Sequence, residues 1–186
     1  MKCIAAVDRN WAIGKNNKLL VSIPADMRFF RDHTVGKVVI MGRATLQSFP
    51  GAKPLKNRIN IVVTRDPDFY VPDAIIVHSV REAAEAAAAY PAEDVFVIGG
   101  ASIYRQFLPL CDTAYITKID YTYDADTYFP NLDADPEWTL ESESEEQTYY
   151  DLTYNFTLYR RMASAPDDAE ASADNADAAT GDANAQ

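Results

Sequence analysis

The chain has 186 residues, a formal net charge of −11 at pH 7, 48% hydrophobic and 24% charged residues, which suits one domain with a sizeable core. The acidic balance argues against a nucleic-acid surface, no apolar run approaches the ~18 residues of a membrane span, and neither end reads as a secretory signal. Cys3 and Cys111 lie in apolar runs, as expected of reduced core thiols in a cytoplasmic protein, and no CxxC or paired-histidine spacing suggests a metal.

Taken in chain order, strand-like runs cover 2–7, 37–41, 59–64, 74–77, 95–98 and 114–119. They are rich in β-branched residues and apolar on both faces, as in a covered parallel sheet. Helical segments fall between them at 25–34, 43–48, 80–90 and 102–108. Beyond 120, "EWTLESESEE" and "TYYDLTYNFTLYRR" read as two long strands of an antiparallel edge hairpin. The expected architecture is a single α/β domain. Its mainly parallel, twisted central sheet has about eight strands, an antiparallel C-terminal hairpin at one edge and four helices spread over both faces. Residues 163–186 hold six acids, no base and no large apolar side chain, so they read as a disordered acidic Ala/Asp-rich tail, and 1–162 as the folded domain.

Four places could carry chemistry. In "VSIPADMRFFRDHT", a 100° wheel sets Arg28, Arg31 and Asp32 on one side of the helix and Ile23, Met27, Phe29 and Phe30 on the other. Asp26 falls among the apolar residues with no cation on its own face. It reads either as an acid favouring the helix N-terminus or as a buried carboxylate whose pKa rises and whose partner is a polar heterocycle. In "VVIMGRATLQSF" and "VVTRD", Gly42, Arg43 and Thr45, and Thr64 and Arg65, follow strand ends. They are surface charges or a site for an anionic ligand. Arg58 in "KPLKNRINIVV" is a loop charge or a bidentate holder of a carboxylate. In "VIGGASIYRQF", Gly99-Gly100 lead into a helix with Ser102 near its N-cap, either a tight turn or a phosphate cradle. GxGxxG, the usual dinucleotide fingerprint, is missing.

Together these segments resemble the dihydrofolate reductase family, of the bacterial chromosomal type. "IAAVDRNWAIGKNNKLL", "IPAD", "VIMGRATLQSFP", "RINIVVT", "VIGGASIYRQFLP" and "ITKID…DTYFP" stand in that family's order and spacing over about 1–162. The resemblance implies NADPH-dependent reduction of 7,8-dihydrofolate to tetrahydrofolate by a cytoplasmic monomer. It implies no nucleic-acid or membrane partner, and antifolates such as methotrexate and trimethoprim as inhibitors.

By the same resemblance, Asp26 is the carboxylate that binds the pteridine. Ile4, Ala6, Met27, Phe30, Phe49, Leu55 and Ile98 are the walls of the substrate pocket, Arg58 holds the glutamyl α-carboxylate, and Thr117 backs the acid. The implied cofactor residues in the first part of the chain are Ala6, Ile13, Gly14, Gly42, Arg43, Ala44, Thr45, Thr64 and Arg65. Those in the second part are Ile98, Gly99, Gly100, Ala101, Ser102, Ile103 and Tyr104, with Gly99-Gly100 joined by a cis peptide bond. Residues 8–23 are the implied mobile loop, with Asp126 in its partner loop. Two positions depart from the family pattern: Val21 stands where a tryptophan is frequent, and His78 where a lysine is frequent. A pyrimidine reductase with the same fold and cofactor is the nearest alternative, and Asp26 with Arg58 favours folate over it.

Overall fold

The computed structural model describes residues 1–162. Nine strands of these residues form one sheet. In chain order they are β1 (Lys2–Val7), β4 (Val38–Gly42), β5 (Ile59–Val63), β6 (Ala74–Val77), β7 (Val95–Gly99), β8 (Thr113–Ile119), β10 (Trp138–Glu143), β11 (Gln147–Tyr149) and β12 (Leu152–Arg161). Their order across the sheet is β10-β12-β8-β1-β7-β4-β5-β6, with β11 also paired to β12. The pairs from β8 through β1, β7, β4 and β5 to β6 are parallel. Those made by β12 are antiparallel.

Side chains alternate across this sheet with a period of two. Val38 and Ile40, Ile61, Val95 and Val97 face one core, into which α3 (Val80–Ala87) and α4 (Ala101–Phe107) insert Ala83, Ala87, Ile103 and Phe107. Val39 and Met41, Val62, Phe96 and Ile98 face the other, packed by Phe29 and Phe30 of α1 (Pro24–Thr34) and Leu46 of α2 (Arg43–Ser48). The four helices therefore cover both faces, as expected. Cys3 and Cys111 are buried free thiols. No helix among the described residues is long and apolar enough to cross a membrane.

Three local readings needed correction. The run 148–161 is not one strand: the chain reverses at Tyr150, whose φ is +52°, so β11 and β12 are a hairpin and β10 pairs further along the same edge of β12. β6 is an outer strand rather than a covered one, with Ile75 41% exposed. Residues 8–23 are not merely a loop. β2 (Ala12–Lys15) pairs with β3 (Lys18–Leu19) and with β9 (Thr127–Tyr128) in a second small sheet. Asn16 and Asn17, both at positive φ, make the two-residue hairpin turn. The expected acidic tail lies outside the described residues.

Candidate active site

α1 starts at Pro24, where a missing N–H costs nothing. Asp26 in its first turn does not point to water. Its carboxylate accepts the Thr117 hydroxyl of β8 at 2.6 Å, and Thr117 is itself buried. Among the described residues no Lys or Arg makes an ion pair with it, and burial lifts its pKa, with the Thr117 hydrogen bond pulling more weakly the other way.

Beside the acid, Ile4, Phe30, Phe49, Leu55 and Ile98 come together in one apolar cluster. Ala6 packs in a neighbouring cluster with Ile23 and Val21. Met27 belongs to neither cluster and is 45% exposed, because its position turns it past the buried stripe of the helix.

Arg58 directly precedes β5. Its Nε and Nη2 lie 3.3 and 3.2 Å from the Thr34 hydroxyl at the end of α1, and its Nη1 donates to the Lys56 carbonyl at 2.8 Å. Burial lowers its pKa, and the nearby Arg31 adds to that. A lone half-buried acid and a fixed guanidinium thus accompany an apolar wall. That arrangement suits a ligand with a polar ring and a carboxylate separated by an apolar middle.

A groove of about 1220 Å³ runs along the carboxyl ends of β4, β5 and β7. Gly42, Arg43, Ala44 and Thr45 border it from one strand end, Thr64 and Arg65 from the next, and Gly100 to Ile103 from a third. The Gly99-Gly100 peptide is cis. A Cβ on Gly99, at φ +111°, would lie 2.9 Å from the Tyr104 ring, so the residue must be glycine. Tyr104 is buried, and its hydroxyl donates to the Ile4 carbonyl at 2.7 Å, which ties the groove to the apolar wall. A Cβ on Gly100 would reach to 3.5 Å from the Thr45 hydroxyl and narrow the groove.

The N-cap of α4 is Gly100 and not Ser102, whose hydroxyl instead accepts from Gln106 Nε2 at 2.8 Å. Ile13 packs half-buried against the core. Gly14 is fixed as glycine, since a Cβ would meet the Lys18 carbonyl oxygen at 2.8 Å. The Ala44 carbonyl accepts from Asn17 Nδ2 at 2.9 Å, which brings the β2–β3 turn to the groove. Asp126 fastens that turn by accepting from the Asn16 N–H at 2.9 Å.

A match to the family model described as dihydrofolate reductase spans residues 1–161. The chain belongs to the dihydrofolate reductase family. A dihydrofolate reductase from Bacillus subtilis (strain 168) is 37% identical over 165 residues, covering 87% of this chain and 94% of that protein. One from Neisseria gonorrhoeae is 37% identical, covering 84% and 94%. The solved structure of dihydrofolate reductase from Enterococcus faecalis, complexed with NADP(H) and RAB-propyl, superposes with a TM-score of 0.77. It is 33% identical and covers 86% of this chain and 95% of that one.

Against the dihydrofolate reductase pattern, the loop departs where Val21 packs half-buried with Tyr123 around Ile23 and Tyr154. Trp11 does not substitute for the frequent tryptophan. It turns into the opposite core, stacked on Phe129 and edge-on to Tyr159. Two features of the groove escaped the sequence. Arg43 does not stand free: it pairs with Asp66 at 2.7 Å and lies over the Phe69 ring. Arg81, in the first turn of α3, also lines the groove. The only hint in the sequence was the Ser79-x-x-Glu82 capping box, which starts a helix just after a strand.

Proposed function

We propose that this chain reduces 7,8-dihydrofolate to 5,6,7,8-tetrahydrofolate, with NADPH as cofactor. The observation that carries this reading is Asp26, a half-buried acid that makes no ion pair among the described residues and is held by Thr117, on an apolar wall that also has a fixed arginine.

The groove suits a phosphorylated dinucleotide. Its floor is opened by glycines at strand ends, and Arg43, Arg65 and Arg81 line it in a chain of net negative charge. Gly42 to Thr45, Thr64, Arg65 and Gly100 to Tyr104 would hold NADPH there, with Ala6, Ile13 and Gly14 beside the nicotinamide. When bound, NADPH supplies the hydride that ends on C6 of the pteridine.

The remaining chemistry belongs to the chain. Asp26 binds the pteridine N3 and 2-amino group, and the substrate supplies the partner that the protein withholds. Its charge raises the basicity of the ring, and N5 takes its proton from water. Thr117 fixes the carboxylate. Arg58 takes the substrate's α-carboxylate bidentately, so substrate orientation is set at both ends. The β2–β3 hairpin, tied down by Asp126, excludes water from the reacting rings. Methotrexate and trimethoprim, with amidine-like edges, compete for Asp26. The enzyme acts as a cytoplasmic monomer, in keeping with its free buried thiols.

Dihydrofolate-dependent loss of NADPH absorbance by the purified protein tests the reading, with NADH in a parallel assay. Turnover that Asp26→Asn largely abolishes at neutral pH is expected. No oxidation of NADPH on adding dihydrofolate would overturn it.

A further inference from the structure

β8 sends two consecutive side chains to opposite faces of the sheet. Thr117 turns to Asp26, and Lys118 turns to the other core, where Trp11 is buried. The Lys118 ammonium donates to one oxygen of the Asp133 carboxylate at 2.6 Å, and the Tyr159 hydroxyl donates to the other at 2.5 Å. The ammonium lies 5.4 Å from the centre of the Trp11 ring and 5.6 Å from that of Tyr159, within cation–π range of both. Burial pulls the Lys118 pKa down, but Asp133 and Tyr159 outweigh it and leave it raised, so the group over the indole is a cation.

Trp11 passes this contact on in two directions. Its ring stacks on Phe129 at 6.1 Å, and the Phe129 ring is 4.6 Å from that of Tyr104, which abuts Gly99 beside the groove. Its carbonyl accepts the Phe129 N–H at 2.8 Å, and the next residue, Ala12, pairs with Tyr128, so Trp11 also sets where the β2–β3 hairpin begins. Its φ is +61°, a backbone that a bulky residue keeps only where the surroundings impose it. An ion with no place in the reaction thus caps a strained residue at the root of the hairpin.

We propose that Lys118 is a positioning residue for hydride transfer: clamped by Asp133 and Tyr159, it holds Trp11, and through Trp11 it fixes the hairpin and the Tyr104 ring against which the nicotinamide rests. The proposal rests on the reading that the groove takes NADPH. A methionine at 118 fills similar space, but it forms no bond to Asp133 and offers the indole no charge. An arginine keeps both.

The test measures the single-turnover rate of hydride transfer from NADPH to dihydrofolate in the full chain, with NADPH deuterated at C4 to show that the chemical step is observed. Lys118→Met should slow that step about 3- to 30-fold. The dissociation constant of NADPH and the KM for dihydrofolate should stay within about twofold of the wild type. Lys118→Arg should restore the rate. In a Trp11→Leu background, Lys118→Met should have no further effect, since the contact it removes is already gone. Asp133→Asn, which frees the ammonium without removing it, should slow the step in the same direction, and it decides the matter if Lys118→Met does not fold. A lower melting temperature in Lys118→Met with an unchanged hydride-transfer rate overturns the proposal. So does equal slowing by Lys118→Arg, or an undiminished effect of Lys118→Met in the Trp11→Leu background. Absence of hydride transfer in the wild type overturns the reading of the function instead.

Discussion

Thr117 and Asp26 meet hydroxyl to carboxylate at 2.6 Å, 91 residues apart in the chain. The bond fixes an acid whose burial outweighs it and raises the carboxyl above the ordinary 3.8. The folded chain therefore keeps a proton at pH values where the unfolded chain has released it, and stability falls as pH rises through that window. The loss is absent below the unfolded-state value and complete above the folded one. Asp26→Asn removes it. Its melting temperature should exceed that of the wild type by roughly 2–5 °C at neutral pH, and the gain should vanish near pH 3. Thermal unfolding across pH checks this.

The same substitution separates stability from function. With the carboxylate gone, turnover at neutral pH should drop about 100- to 1000-fold. It should recover partly in acid, where N5 is protonated without help. Initial rates over a pH series decide it, and unchanged neutral-pH kinetics would refute the role given to Asp26.

Thr117→Val removes the one interaction that lowers the Asp26 pKa. The acidic limb of kcat/KM should move to higher pH, and Thr117→Ser should restore it. A purely packing role for Thr117 would change the amplitude of the profile and leave its midpoint in place.

Arg58 is held by Thr34 and the Lys56 carbonyl and so is already oriented for a carboxylate. Arg58→Leu should raise KM for dihydrofolate about 10- to 100-fold, the range expected when a hydrogen bond to a charged group is lost. The KM for NADPH and kcat should hardly change. An effect confined to NADPH would contradict its placement on the substrate wall.

Asp8 is 3% exposed and accepts three backbone N–H groups, from Asn10 at 2.8 Å, Ala12 at 2.9 Å and Tyr123 at 2.9 Å. It joins the start of the β2 hairpin to the segment before β9. Asp8→Ala should destabilise the fold by about 2–4 kcal/mol, since it strands buried donors. Hydrogen exchange should accelerate most in β2 and β9. Denaturant unfolding gives the first quantity and peptide-resolved exchange the second.

Most of the central sheet was legible because its strands obey local rules. Val38 to Met41 and Val95 to Ile98 are apolar on both faces, and such runs have few other ways to be buried. The small sheet was not legible: β2, β3 and β9 have four residues or fewer, and Ala12 finds its partner in Tyr128, far along the chain. The "KNNK" turn was nonetheless a usable hairpin signal. Met27 is 45% exposed despite its place on the apolar side, because a wheel treats that side of a helix as uniform, whereas the surface that receives it is not.

What the sequence determined by itself is therefore whatever depends on near neighbours: strand and helix periods, an acid lodged on a greasy helix face, glycines at strand ends, an arginine before a strand. Only the tertiary structure decided how polar groups are shared. Thr117 reaches Asp26, Asp66 engages Arg43, and the His78 ring meets the Thr64 carbonyl because strand order brings distant segments within 3 Å. A hydrogen bond is short-ranged and directional, so its partner is chosen by the fold and not by the residue's place in the chain.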